Sequence, residues 1–117
     1  MKGGTLMDTN SNRDSGFIKV PKAVIEGGRY RFLSADAILL YGLILDRMGL
    51  SRRNSFFHNS KGSPFVIYTN EEIQEKLRCR HQKASKALRE LELAQLIRIE
   101  RNKSPCRANK IYVTDSP

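Results

Sequence analysis

The chain is expected to fold as a mainly helical α+β domain, a winged helix-turn-helix with a small antiparallel sheet. Three observations point there. Residues 68–113 carry two short helical patterns separated only by Arg78-Cys79. The second pattern has a basic outer face, and two alternating strands then flank a cationic loop.

Residues 1–16 are polar and rich in Gly, Asn, Ser and Asp, so they are expected to be disordered or tag-like. The folded domain is expected over 17–114, with 115–117 as the start of a linker. Phe17-Ile18-Lys19-Val20 reads as a short strand, and Pro21 opens a helical turn over 22–25 before Gly27-Gly28 breaks the chain. Ser34 then caps the longest apolar helix, with Leu33 and Ile38 at staple positions and Asp36 in the first turn, where the helix dipole favours it. Ile38, Tyr41, Leu45 and Met48 share one face of that helix, widened by Leu40 and Ile44. This surface is broader than one small helix needs, which leaves part of it for a second subunit. In the least legible stretch, Phe56-Phe57 and Phe65-Val66-Ile67-Tyr68 flank Asn59-Ser60-Lys61-Gly62. That pattern predicts a hairpin whose second strand joins the wing strands, with Pro64 at a strand start. Arg52-Arg53 reads as a solvated helix end.

The helix-turn-helix begins at Thr69-Asn70-Glu71-Glu72, where Thr69 and Glu72 have the spacing of a capping box and Tyr68 and Ile73 that of a staple. Ile73 and Leu77 share the inner face. The second helix, about 80–94, is expected to bury Ala84, Leu88 and Leu91 on one stripe with Ala87 beside it. Its other face carries Arg80, Gln82, Lys83, Lys86 and Arg89, with no acidic residue between Arg78 and Arg89. Glu90, Glu92 and Glu100 follow, so the positive charge sits at the helix start, the part that meets base edges in helix-turn-helix proteins. Ile97 and Ile99 are expected to face Ile111 and Val113 across a hairpin whose loop, 102–109, adds Lys103 and Arg107. Basic residues on a helix usually form only a solvated face; the basic hairpin following this one favours a DNA-reading surface.

Composition is consistent with that surface. The 117 residues suffice for one domain with one modest core. A net charge of +9 and a pI of about 9.9 favour a polyanionic partner. No stretch approaches the roughly 20 apolar residues that span a bilayer, and no secretory signal is visible at the start. Cys79 and Cys106 lack zinc-ligand spacing and no His pair accompanies them; reduced thiols and a cytoplasmic location are expected. Cys79 reads as a small packing residue. His58 and His81 have no paired carboxylates, Walker-type loop or nucleophile-base pattern around them, so neither an enzyme nor a cofactor or metal site is expected.

The run Phe17-Ile18-Lys19-Val20-Pro21-Lys22, then Leu33-Ser34-Ala35-Asp36-Ala37 leading to Leu39-Leu40-Tyr41-Gly42-Leu43-Ile44-Leu45-Asp46-Arg47-Met48, then Tyr68-Thr69-Asn70-Glu71-Glu72-Ile73 and Leu88-Arg89-Glu90-Leu91, resembles the N-terminal domain of RepA-type plasmid replication initiators of Gram-positive bacteria. The resemblance spans about 17–113. It implies a winged helix that binds repeated sequences of double-stranded DNA at a replication origin, usually as a homodimer. It also implies a separate C-terminal domain, absent from this chain, through which host replication proteins would be met. Two positions depart from the pattern. Arg80 stands where a capping Ser is common; it cannot accept a backbone hydrogen bond, which leaves free N–H groups for a DNA phosphate. Gln95 stands where a helix-ending Gly is usual.

The candidate DNA-contact residues are therefore Thr69, Arg80, His81, Gln82, Lys83, Lys86, Arg89, Lys103 and Arg107. Gln82 and Lys83 are assigned to base edges, and Lys103 and Arg107 to phosphate or the flanking minor groove. Leu93, apolar on a polar stripe, is either a stray exposed side chain or a subunit contact. A winged-helix transcription regulator would use the same surface, and a winged helix turned to protein binding is a third reading.

Overall fold

A computed structural model of the chain describes residues 16–103 and 108–114. The expectations for the N-terminal segment before Gly16, for Cys106 and Arg107, and for 115–117 lie outside them. The element order is α1 (Lys22–Glu26), a 3-10 turn (Gly28–Tyr30), α2 (Ala35–Ser51), a 3-10 turn (Ser55–Phe57), α3 (Asn70–Leu77), α4 (His81–Leu93), β1 (Ile97–Glu100) and β2 (Lys110–Val113). This is a winged helix-turn-helix, with α2 as the support on which α3 and α4 pack.

Helix starts follow the capping chemistry. Ser34 Oγ accepts from the Ala37 N–H at 3.2 Å, and Thr69 and Glu72 complete a reciprocal capping box at the start of α3. The turn between α3 and α4 is made by Arg78 in the left-handed region (φ 54°), which lets the Cys79 N–H return to Gln74 O at 3.0 Å. Gln95, at φ 61°, ends α4 in the conformation expected of a glycine there. The wing is the antiparallel pair β1–β2, with Ile97 opposite Val113 and Ile99 opposite Ile111.

The core is continuous through the domain. Leu40, Tyr41, Ile44 and Met48 of α2 meet Ile73 of α3, Ala84, Ala87 and Leu91 of α4, and Leu96, Ile97 and Ile111 at the wing. Each helix places an apolar stripe inward, and burial of these side chains, at about 25 cal/mol per Å² of apolar surface, is the main term holding α2 to the helix-turn-helix. The buried stripe of α4 runs through Ala84, Ala87 and Leu91, while Leu88 is only half-buried. It is therefore turned toward Ala87 relative to the expected stripe. The small alanines let α4 approach α2 closely.

Two expectations about strands are corrected. Phe17–Val20 forms no strand. Ile18 and Val20 instead lie against α2 at Gly42, where a Cβ would come within 2.7 Å of Ile18 and 2.9 Å of Val20, so the segment is held by packing and has no strand to pair with. Phe65-Val66-Ile67-Tyr68 is not a full third strand; only Val66 pairs with Ile111, by two backbone hydrogen bonds of 2.9 Å. The chain leaves the sheet at once, because the Ile67 carbonyl accepts from Arg47 and Tyr68 leads into the cap of α3. Glu90, in the acidic trailing part of α4, is buried, which the sequence did not indicate. Its Oε1 accepts the Ser34 N–H at 2.7 Å.

Candidate nucleic-acid interface

The α4 surface divides into three strips by its 3.6-residue period. Gln82, Ser85, Lys86 and Arg89 occupy the open face and are exposed. Toward α3, His81 Nδ1 lies 3.0 Å from Asn70 Oδ1, and Ser85 Oγ accepts from Asn70 Nδ2 at 3.0 Å. Toward α2, Lys83 Nζ is 3.7 Å from Asp36 Oδ2, though the lysine side chain is still 67% exposed. Thus the two residues assigned to base edges part company: Gln82 stands on the open face, whereas Lys83 lies on the α2 flank beside a carboxylate.

Arg80 precedes α4 with extended backbone, and no side chain caps that end. Its first-turn N–H groups carry the partial positive charge of the helix dipole. Among the described residues, Arg80, Lys86 and Arg89 have no carboxylate within ion-pairing distance. A groove-sized, uncapped and cationic helix start suits an anion followed by base edges. Lys103 is exposed on the wing; Arg107 lies outside the described residues.

Around this face the acidic groups are engaged in holding the elements together. Arg101, just past the loop end of β1, forms a fork with Glu92 of α4 at 2.9 and 3.0 Å, and that hydrogen-bonded guanidinium holds the Glu92 carboxyl below its ordinary range. Arg47 of α2 lies 3.7 Å above the Tyr68 ring and donates to Ile67 O at 2.8 Å and to Glu72 Oε2 at 3.2 Å. Burial opposes ionisation of Glu72, but the Thr69 N–H and Arg47 outweigh it, so its carboxyl also sits below the ordinary range. Thr69 itself is half-buried, its hydroxyl occupied by the N–H of Glu72. It therefore shapes the start of α3 whether or not it touches a ligand.

Sequence reasoning missed Asn70, Ser85 and the clamping residue Arg47. Asn70 and Ser85 carried a weak signal, being polar residues at the start of one helix and on the open face of the next. Arg47 carried none, because its partners lie 20 and 25 residues away. Among the described residues no group of three or more His, Cys, Asp or Glu is gathered as a metal site, and no helix is long and apolar enough to cross a membrane. Cys79 is a half-buried free thiol packed on the core.

A family model described as the N-terminus of replication initiator protein A (RepA) matches residues 16–116. No curated protein matches the chain. Among solved structures, the chain is similar to one described as the N-terminal domain of a DNA binding protein, with a TM-score of 0.71 and 25% identity over 93% of this chain and 84% of that one. It is similar to a structure of a Rep–DNA complex, with a TM-score of 0.72 and 25% identity over 92% of this chain and 84% of that one. A third, described as an MDR initiator, has a TM-score of 0.70 and 29% identity over 91% of this chain and 82% of that one.

Proposed function

The chain belongs to the family of replication initiator protein A N-terminal domains, and from that premise we propose that it binds duplex DNA at repeated sites of a replication origin, as a homodimer in the cytoplasm. The observation that carries this reading is the open face of α4, where exposed Gln82, Lys86 and Arg89 follow an uncapped helix start beside Arg80. Likeness to a solved Rep–DNA complex supports it. In this reading the N-terminal turns of α4 enter the major groove, and the free N–H groups of that end meet a phosphate. Gln82, on the open face, pairs with adenine or a neighbouring base edge. Lys86 and Arg89 follow the groove, and Lys103 meets the backbone of the flanking turn. The role assigned is binding, without chemistry of its own. Exposed Leu39 and Leu93 are among the apolar side chains available to a second subunit.

The test is a duplex titration at several salt concentrations. Roughly five to seven neutralised phosphates give a slope of log K against log salt of about −5 to −6. Gln82→Ala should relax discrimination at one or two base pairs by about 1–3 kcal/mol, while Lys103→Ala weakens all duplexes alike and flattens the slope by about one unit. Equal affinity for tandem repeats and for a scrambled duplex counts against the origin reading. Salt-independent binding, or none at low salt, sinks DNA binding altogether.

A further inference from the structure

Asn70 opens α3, and every hydrogen-bonding direction of its side-chain amide is used within the helix-turn-helix. Its Nδ2 donates to Ser85 Oγ at 3.0 Å and, more loosely, to the His81 carbonyl at 3.5 Å. Its Oδ1 accepts from Gln74 Nε2 and lies 3.0 Å from His81 Nδ1. A backbone carbonyl only accepts, so the amide nitrogen belongs on the side of His81 O, and the amide oxygen then faces the ring. An oxygen acceptor requires a proton on Nδ1. The neutral ring is thereby left with a bare lone pair on Nε2. His81 is exposed, in the first turn of α4 and next to the open face that carries Gln82 and Ser85.

We propose that Asn70 is a positioning residue that locks His81 as the Nδ1–H tautomer, so that Nε2 accepts a hydrogen bond from the exocyclic amine of adenine or cytosine in the major groove. The proposal rests on the DNA-binding reading for its second half only. A bare acceptor is repelled by phosphate oxygen and by the O6 and N7 of guanine, whereas adenine N6 and cytosine N4 present donors there. His81 then contributes sequence discrimination, in contrast to the general attraction supplied by the cations around it. The other histidine supplies an internal contrast. His58 Nε2 lies 3.0 Å from the Ser51 carbonyl, which demands the opposite tautomer, Nε2–H.

Nitrogen-15 spectra of the intact chain, at a pH where both rings are neutral, decide the first half. One Nδ1–H and one Nε2–H ring are expected, and Asn70→Ala should move the former toward the latter while His58 stays unchanged. Two Nε2–H rings in the unaltered chain overturn the proposal. For the second half, a duplex is selected from a randomised pool, and each adenine in turn is replaced by purine and each cytosine by 2-pyrimidinone, which removes only the amine. The replacement that removes the amine met by His81 should cost about tenfold in affinity; it is told from any adenine read by Gln82 because its cost disappears in His81→Phe, and its identity separates adenine from cytosine. His81→Phe should lose about tenfold on the intact duplex and nothing more on that analogue, and adding Asn70→Ala should cost no further affinity. Full additivity of the two substitutions, or an unchanged analogue profile in His81→Phe, overturns the contact. If the pool yields no duplex, DNA binding and the base contact both fall, while the spectra still decide the tautomer.

Discussion

Glu90→Ala is expected to destabilise the domain by removing a cap that α4 supplies to α2. At the start of α2, Ser34 accepts from the Ala37 N–H, but Ala37 has no side chain with which to answer the Ser34 N–H. Glu90 supplies that answer from α4, 56 residues away, at 2.7 Å, and the group is buried. It is a capping box closed across the tertiary structure. A hydrogen bond to a charged acceptor contributes about 1.5–3 kcal/mol, and removing the acceptor strands a partly buried N–H. A loss of about 2–3 kcal/mol follows, which at about 4–6 °C per kcal/mol lowers the melting temperature by about 8–18 °C. Glu90→Gln keeps an oxygen acceptor at the same reach and should lose less than half as much. Thermal unfolding of the two variants, followed by circular dichroism, measures the difference. If Glu90→Ala melts within about 2 °C of the unaltered chain, or if Gln costs as much as Ala, the cross-helix cap is not what Glu90 contributes.

Two further outcomes are expected. Gln95 sits at φ 61°, where an L side chain is strained, so Gln95→Gly should stabilise the domain by about 0.5–1 kcal/mol, read as a higher urea midpoint; a lower midpoint would contradict the left-handed end of α4. Glu72 and Glu92 are held below their ordinary range in the folded chain. A depressed folded pKa contributes stability above the unfolded value and loses it as pH falls through the folded one. The urea midpoint should therefore be level above about pH 5 and decline below about pH 4.3. Salt should blunt the Glu92 share, because Arg101 is 61% exposed. A midpoint unchanged down to about pH 3 is incompatible with both pairings.

Local chemistry was legible in the sequence, and cross-chain chemistry was not. The Ser34 cap, the Thr69–Glu72 box, the left-handed end at Gln95 and the β1–β2 register all depend on residues close in sequence or on strict alternation, and the structure has each of them. The strand expected at Phe17–Val20 had the right pattern, but β-branched alternation also suits a segment that packs on a helix, and Gly42 provides the space for it. Glu90 reads as a solvated acid in any local window; only the arrival of Ser34 from the start of α2 makes it a cap. The candidate site divides in the same way. Exposed Gln82, Lys86 and Arg89 followed from helical period, whereas the turning of Lys83 toward Asp36 and of His81 toward Asn70 depends on where α2 and α3 lie.

The placement of acidic residues links stability to the charge of the face. Asp36 lies beside Lys83, Glu72 is taken by Arg47 and the α3 cap, Glu90 by the α2 cap, and Glu92 by Arg101 at the loop end of β1. Apart from the α3 cap, each contact joins two different elements, so the carboxylates tie α3 and α4 to α2 and the wing to α4. The same contacts draw negative charge off the outward strip of α4, where Lys86 and Arg89 remain without ion-pair partners among the described residues. A rigid arrangement of the two helices and a cationic open face therefore have one cause. One residue along a helix turns a side chain by about 100°. A glutamate at 89 in place of 90, or at 93 in place of 92, would lose its clamp and bring its charge onto the open face of α4, whereas one at 91 would stand in the buried stripe.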